Sequence, residues 1–259
     1  MLGFFDSGLG GLTVVRRVRE LLPDLDLVYL ADQAHVPYGD RSPGNLAELL
    51  ANNARFLNEA AVDAIVMACN TTCAIGNARG WPASKAPIID LIESAAIALR
   101  DTGVTRVAVI ATAATVATGM YGSVLRRIAP DVSVVEIAAP ALVPLVEAGN
   151  VSGDEPRAAV AAVCAPIAGQ VDAVVLACTH YPVLDALFAR ALGTNVLRID
   201  PAMVQAQRAV EFVRTHAIAP GTGVERYFTT GDPAAFEAGA ARILGRAVSA
   251  RAVHAAVQQ

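Results

Sequence analysis

"VDAIVMACNT" spans residues 62–71, and "VDAVVLACTH" spans residues 171–180. Each is a continuous apolar run that ends on a cysteine followed by hydroxyl, amide or imidazole side chains. Runs this short, apolar throughout, read as parallel strands buried on both faces. Cys178 follows Cys69 by 109 positions, which is too long a period for a small-repeat solenoid. The spacing instead places the two cysteines at the same point of two related halves.

Working outward, further β-type runs occur at Leu2–Phe5, Leu27–Leu30, Ala64–Ala68, Pro87–Asp90, Arg106–Ala111, Val132–Ile137, Ala173–Ala177, Val196–Ile199 and Arg226–Thr229. Helical stretches separate them, with apolar residues at 3–4 spacing such as Leu12, Val15, Val18 and Leu22. Alternation of this kind predicts an α/β fold with parallel sheets covered by helices. The repeat extends beyond the cysteines. "VYLADQAHVP" (28–37) resembles "VEIAAPALVP" (135–144) at an offset of 107, and pairing Asp6 with Thr112 gives 106. Two similar parallel-sheet halves of Rossmann or flavodoxin-like type are therefore expected. They would face each other across a pseudo-two-fold, with the site in the cleft at the carboxyl ends of the strands.

Composition narrows the function. The chain has 259 residues, 54% of them apolar, enough for one or two buried cores. No stretch reaches the roughly 18–20 apolar residues of a membrane span, and Met1–Phe5 meets Asp6 before any signal-like run, so no membrane partner and a cytoplasmic location are expected. A net charge of −4 without a basic run argues against nucleic acid. Four cysteines (Cys69, Cys73, Cys164 and Cys178) are few for a disulfide scaffold. Lys85, the single lysine, follows Trp81-Pro82-Ala83-Ser84 in a loop-like segment, a poor place to anchor pyridoxal phosphate.

Two equivalent thiols admit three chemical readings. As metal ligands, Cys69, Cys73, Cys178 and His180 are suitable types, but their spacing is a poor zinc knuckle. A redox disulfide lacks a Cys-x-x-Cys. The third reading is a pair of acid–base groups acting on one carbon from opposite faces, which inverts a stereocentre. A thiol's reference pKa of about 8.5 leaves some thiolate near neutral pH. Asp6 and His180 are candidate helpers, and Glu147 in "PLVEAGN" a further one. Ser7, Asn70, Thr71, Thr112, Thr115 and Thr179 could hold an amino acid's ammonium and carboxylates. A dinucleotide loop at "GLGGLT" with Asp32 closing the next strand is disfavoured. Thr13 stands where the fingerprint needs glycine.

The motifs "DSGLGGLTV" (6–14), "PYG" (37–39), "ACNT" (68–71), "ATAAT" (111–115), "PLVEAG" (144–149), "CTHYP" (178–182) and "FTTGD" (228–232) resemble, in order, those of the cofactor-independent aspartate/glutamate racemase superfamily, and of glutamate racemases within it. The resemblance spans most of the chain. It implies Cys69 and Cys178 as the catalytic acid–base pair, assisted by Asp6, His180 and Glu147. It implies Ser7, Tyr38, Gly39, Asn70, Thr71, Thr112, Thr115 and Thr179 as substrate contacts, with no cofactor and no metal. It further implies a homodimer, a role in supplying D-glutamate for peptidoglycan, and a C-terminal segment returning to the first domain. The expected domains are 1–93 with 205–259, and 94–204. Ala177 in place of glycine, "TTC" at 71–73 and "DQAHVPYG" depart from the usual pattern. An aspartate racemase or another two-cysteine isomerase is the nearest alternative, and a non-catalytic amino-acid-binding protein a more distant one.

Overall fold

The structure is a computed structural model that describes residues 1–100 and 102–253. Asp101 and residues 254–259, which the expected domain ranges include, lie outside the described residues. The strands are β1 (Leu2–Asp6), β2 (Leu27–Ala31), β3 (Ala64–Met67), β4 (Ile88–Asp90), β5 (Arg106–Ala111), β6 (Ser133–Ala138), β7 (Ala173–Ala177), β8 (Leu197–Ile199), β9 (Glu225–Thr229) and β10 (Ala250–Ala252). The nine expected runs are all strands, matching to within one residue at either end. β10, "ARA", went unread because three residues with an arginine in the middle carry no apolar run.

All strand pairs are parallel, and they form two sheets. The first has the order β10-β9-β2-β1-β3-β4 and the second β6-β5-β7-β8. The run β2-β1-β3-β4 thus has the same order as the whole second sheet. Register makes the duplication quantitative. Leu2 pairs with Leu27 and Ala64, while Val107 pairs with Val134 and Ala173. Matching these pairs gives offsets of 105, 107 and 109 for β1, β2 and β3 against β5, β6 and β7. The offset grows along the chain because connecting loops absorb extra residues while paired strands cannot. One expectation is corrected: the counterpart of Thr112 is Ser7, and Asp6 corresponds to Ala111.

The symmetry continues past the strands. Asp90 and Asp200 occupy matching positions and cap helices Leu91–Arg100 and Pro201–Thr215 through Ile92 N–H (2.8 Å) and Ala202 N–H (3.0 Å). Those two helices pack against each other. After them the chain returns to the first sheet, where β9 pairs with β2 and β10 with β9.

Alternate strand residues serve different cores, as parallel strands buried on both faces require. Phe5, Val28, Ile65 and Met67 of the first sheet share one apolar cluster with Val107, Val109, Ala173 and Val175 of the second. Leu2, Phe4, Tyr29 and Val66 point into a separate cluster under the first sheet's outer helices. Ala108, Ile110, Val174 and Leu176 do the same for the second. The shared cluster welds the halves together and holds the carboxyl ends of both sheets around one cleft. Among the described residues, no helix is long and apolar enough to cross a membrane.

Gln205 fastens the returning helix. Its Nε2 donates to Met67 O, at the end of β3, and to Ile89 O, in β4, both at 2.9 Å. Gln205→Ala removes this donor from both carbonyls, leaving Met67 O the weaker Cys73 thiol at 3.2 Å, and is expected to lower unfolding free energy by about 1–3 kcal/mol in urea denaturation. An unchanged midpoint would show that this tether contributes nothing.

Candidate active site

The cleft holds about 600 Å³ of empty space, counting its open mouth, and is lined from both halves. Cys69 stands between β3 and helix Asn70–Arg79, and Cys178 directly follows β7. Both thiols line the cavity, as do Ser7, Tyr38, Gly39, Asn70, Thr71, Thr112, Thr179 and His180. Asp6, Thr115 and Glu147 lie outside that lining, and Thr115 and Glu147 hydrogen-bond residues that form it. Sequence reasoning passed over Val36, Pro37, Val143 and Pro144, which also line it. They are the matching "VP" ends of the repeat at 36–37 and 143–144, so the repeat itself carried their signal.

The two thiols have opposite surroundings. Cys178 Sγ lies 3.6 Å from His180 Nδ1, and His180 Nε2 bonds Glu147 Oε1 on the far side of the ring. Burial alone would lower the pKa of His180, but contact with Cys178 and Glu147 outweighs it and raises the imidazole well above its ordinary value. Glu147 in turn is lowered, first by its hydrogen bond to His180. This half of the site is therefore built to hold a cation beside a thiol.

Cys69 has an anion as its neighbour. Burial first, and then the Asp6 carboxylate, push its thiol up to about 12. The Thr72 hydroxyl and backbone N–H and the Ser7 hydroxyl act the other way and favour thiolate. The thiol points to Ser7 Oγ at 3.7 Å. Thr72 Oγ1 is buried without a well-formed hydrogen bond, so a donor stands ready beside the sulfur for its ionised form. Sequence reasoning missed Thr72, because a hydroxyl in the first turn of a helix is an ordinary sight. Asp6 is fully buried; Oδ2 accepts from Gly11 N–H at 2.9 Å, and Oδ1 has no partner. Its pKa is raised by burial, an effect that the charge of His180 opposes.

Contacts across the cleft depend on small and hydroxylated residues. Thr71 of the first half meets Thr112 at 3.0 Å and Thr115 at 3.2 Å, and Thr112 meets Thr115 at 2.9 Å. Gly10 has no room for a side chain: a Cβ there would lie 2.2 Å from Thr179 Oγ1. Asp32 is no ribose ligand. Its buried carboxylate accepts from Tyr38 OH at 2.5 Å and Thr230 Oγ1 at 2.7 Å, and pairs with His35 Nδ1 at 2.7 Å. It thereby fixes the Val36–Gly39 loop over the cavity.

The remaining cysteines are core residues. Cys73 donates to Met67 O at 3.2 Å and accepts from Leu91 N–H at 3.4 Å, while Cys164 is buried in the second half's outer core. All four thiols are free. Among the described residues, no three His, Cys, Asp or Glu side chains come together as metal ligands. Lys85 is exposed and stands off the cavity lining.

The His180–Glu147 pair can be tested directly. Glu147→Gln removes the carboxylate that raises His180, so the imidazole is expected to titrate at lower pH by NMR. A group raised on folding contributes stability that is present below its unfolded pKa, about 6.5, and is lost as pH rises through its folded value. The variant is expected to lose that contribution at lower pH than the native protein. An unmoved His180 titration would refute the pairing.

Comparison with known proteins agrees with this geometry. Residues 12–209 match the Asp/Glu/Hydantoin racemase family. A glutamate racemase of Synechococcus sp. (strain CC9605) is 41% identical over 255 residues, covering 95% of this chain and 94% of that one. The crystal structure of Francisella tularensis glutamate racemase in complex with D-glutamate superposes with a TM-score of 0.89 at 27% identity, covering 98% and 97% of the two chains. That of Thermus thermophilus glutamate racemase in complex with β-chloro-D-alanine gives 0.86 at 33% identity, with 98% and 96% covered. The chain belongs to the Asp/Glu/Hydantoin racemase family, falls among its glutamate racemases, and is an amino-acid racemase.

Proposed function

We propose that this racemase interconverts L- and D-glutamate by proton transfer between two thiols, without an added cofactor. The observation that supports this reading best is that Cys69 and Cys178, from matching strand ends, line one cavity with opposite electrostatic partners. A thiol raised to about 12 carries its proton at neutral pH, and the Cys178 thiol stands 3.6 Å from an imidazole raised well above its ordinary value. In this reading Cys69 starts as the acid and Cys178, with His180 beside it, as the base. Cys178 takes the α-proton of one enantiomer, Cys69 delivers its own to the opposite face, and the two sulfurs exchange protonation states. The reverse direction runs through the same groups.

Helpers follow from position. His180, held by Glu147, stabilises the Cys178 thiolate, whereas Asp6 with Ser7 and Thr72 governs the Cys69 proton. Tyr38, Gly39, Asn70, Thr71, Thr112 and Thr179 hold the substrate's carboxylates and ammonium, with Thr115 bracing Thr71 and Thr112. By the family resemblance, Cys178 serves L-glutamate and Cys69 serves D-glutamate. The same reading carries the two-domain division at 1–93 with 205–259 and 94–204, a homodimer, a cytoplasmic location and a role in D-glutamate supply for peptidoglycan.

Circular dichroism of L-glutamate and L-aspartate incubated with purified protein lacking added cofactor tests activity and substrate together. Glutamate is expected to lose its signal, and Lys85→Ala is expected to behave like the native enzyme. Racemisation of aspartate alone, or dependence on pyridoxal phosphate, would overturn the reading.

The thiols are separated by Cys69→Ser and Cys178→Ser. Removing a positioned acid–base group costs roughly 10²–10⁴-fold, and each serine variant is expected to lose α-proton exchange in deuterated buffer more for one enantiomer than the other. Equal losses for both enantiomers in both variants would argue against opposed bases.

A further inference from the structure

The contact that the proton-transfer reading leaves unused is between Tyr121 and Asn70. Tyr121 belongs to helix Met120–Ile128 of the second half and is wholly buried in the core that both sheets share. Asn70 opens helix Asn70–Arg79 of the first half and lines the cavity. The Tyr121 hydroxyl donates to Asn70 Oδ1 across the boundary between the halves.

A carboxamide can present either of its ends, and its neighbours decide which. Burial, reinforced by Cys73 and Asp90, raises Tyr121 well above an ordinary phenol, so it keeps its proton and acts as donor. Turning the amide over would face Nδ2 to the phenol and leave the hydroxyl hydrogen without its acceptor in an apolar core. That alternative is disfavoured because a buried donor without a partner pays its full desolvation cost. With Oδ1 held by Tyr121, the Nδ2 hydrogens are the end left for the cavity. An NH₂ group is a donor only, and its complement on an amino acid is a carboxylate.

We propose that Tyr121 is a positioning residue that locks the Asn70 amide with its NH₂ toward a substrate carboxylate. It does so from the opposite half, so the amide is set only when the two halves are apposed. This rests on the cavity being the amino-acid site.

A double-mutant cycle with Tyr121→Phe and Asn70→Ala tests it, reading KM and kcat for both glutamate enantiomers and the Kd of D-glutamate by calorimetry. Tyr121→Phe is expected to raise KM and Kd about tenfold, a typical cost of losing alignment to a charged group, with kcat within about twofold and the pH profile unchanged. In the Asn70→Ala background the same change is expected to add less than about twofold, because Tyr121 then has nothing to orient. Equal effects in both backgrounds, or a fall in kcat with KM unchanged, would overturn the proposal. Asn70→Asp is the second arm. It keeps an acceptor for Tyr121 but replaces the NH₂ with an anionic oxygen, so it is expected to melt like the native protein and lose D-glutamate binding. Retained binding would overturn the proposal as well. Native protein that binds no glutamate would instead overturn the substrate reading, which keeps the two failures distinct.

Discussion

Everything in this molecule depends on two parallel sheets being packed through a common apolar layer with their strand ends around one cleft. The layer combines Phe5, Ile65 and Met67 with Val107, Val109 and Val175, and each of these residues is fully or almost fully buried. Parallel strands buried on both faces have little freedom of register, because a one-residue slip would move every side chain to the opposite core. The residue after each run is thereby placed as firmly as the run itself. Cys69 and Cys178 inherit their positions from that constraint.

The backbone symmetry is deeper than the chemical symmetry. Strand order, register and even the helix-capping Asp90 and Asp200 repeat between the halves. The partners of the thiols do not. An imidazole buttressed by Glu147 stands beside Cys178, and a buried carboxylate stands near Cys69. Two identical environments would give both sulfurs the same proton affinity and no preferred resting state. Burial and the Asp6 carboxylate hold the proton on Cys69, whereas the ionisable neighbour of Cys178 is an imidazole raised well above its ordinary value.

Closeness between the halves is secured by what is small as much as by what bonds. Gly10 lets the first loop rest on Thr179, and Gly39 brings the second loop against Thr112, where an added Cβ would lie 3.1 Å from the threonine Cβ. The hydroxyls of Thr71, Thr112 and Thr115 close a ring across the same boundary. A ring of hydroxyls satisfies itself without charge, so it can be buried cheaply.

The sequence by itself determined the strands, their duplication and the two cysteines, because a doubly buried strand writes its whole length in apolar residues and a repeated one writes it twice. Family motifs added Tyr38 and Gly39 to the candidate site. What lay beyond the sequence depended on contacts between distant segments. The pairing of Ser7 rather than Asp6 with Thr112 came from strand register, which shifts with loop lengths that no motif encodes. The edge strand Ala250–Ala252 exists only because β9 offers it a partner. The role of Asp32 was set by Tyr38, His35 and Thr230, the last of them 198 residues away. The orientation of the Asn70 amide was decided only by tertiary structure, since the phenol that holds it arrives from the other half. Local sequence specifies which side chains stand at a strand end, and only packing specifies what each of them faces.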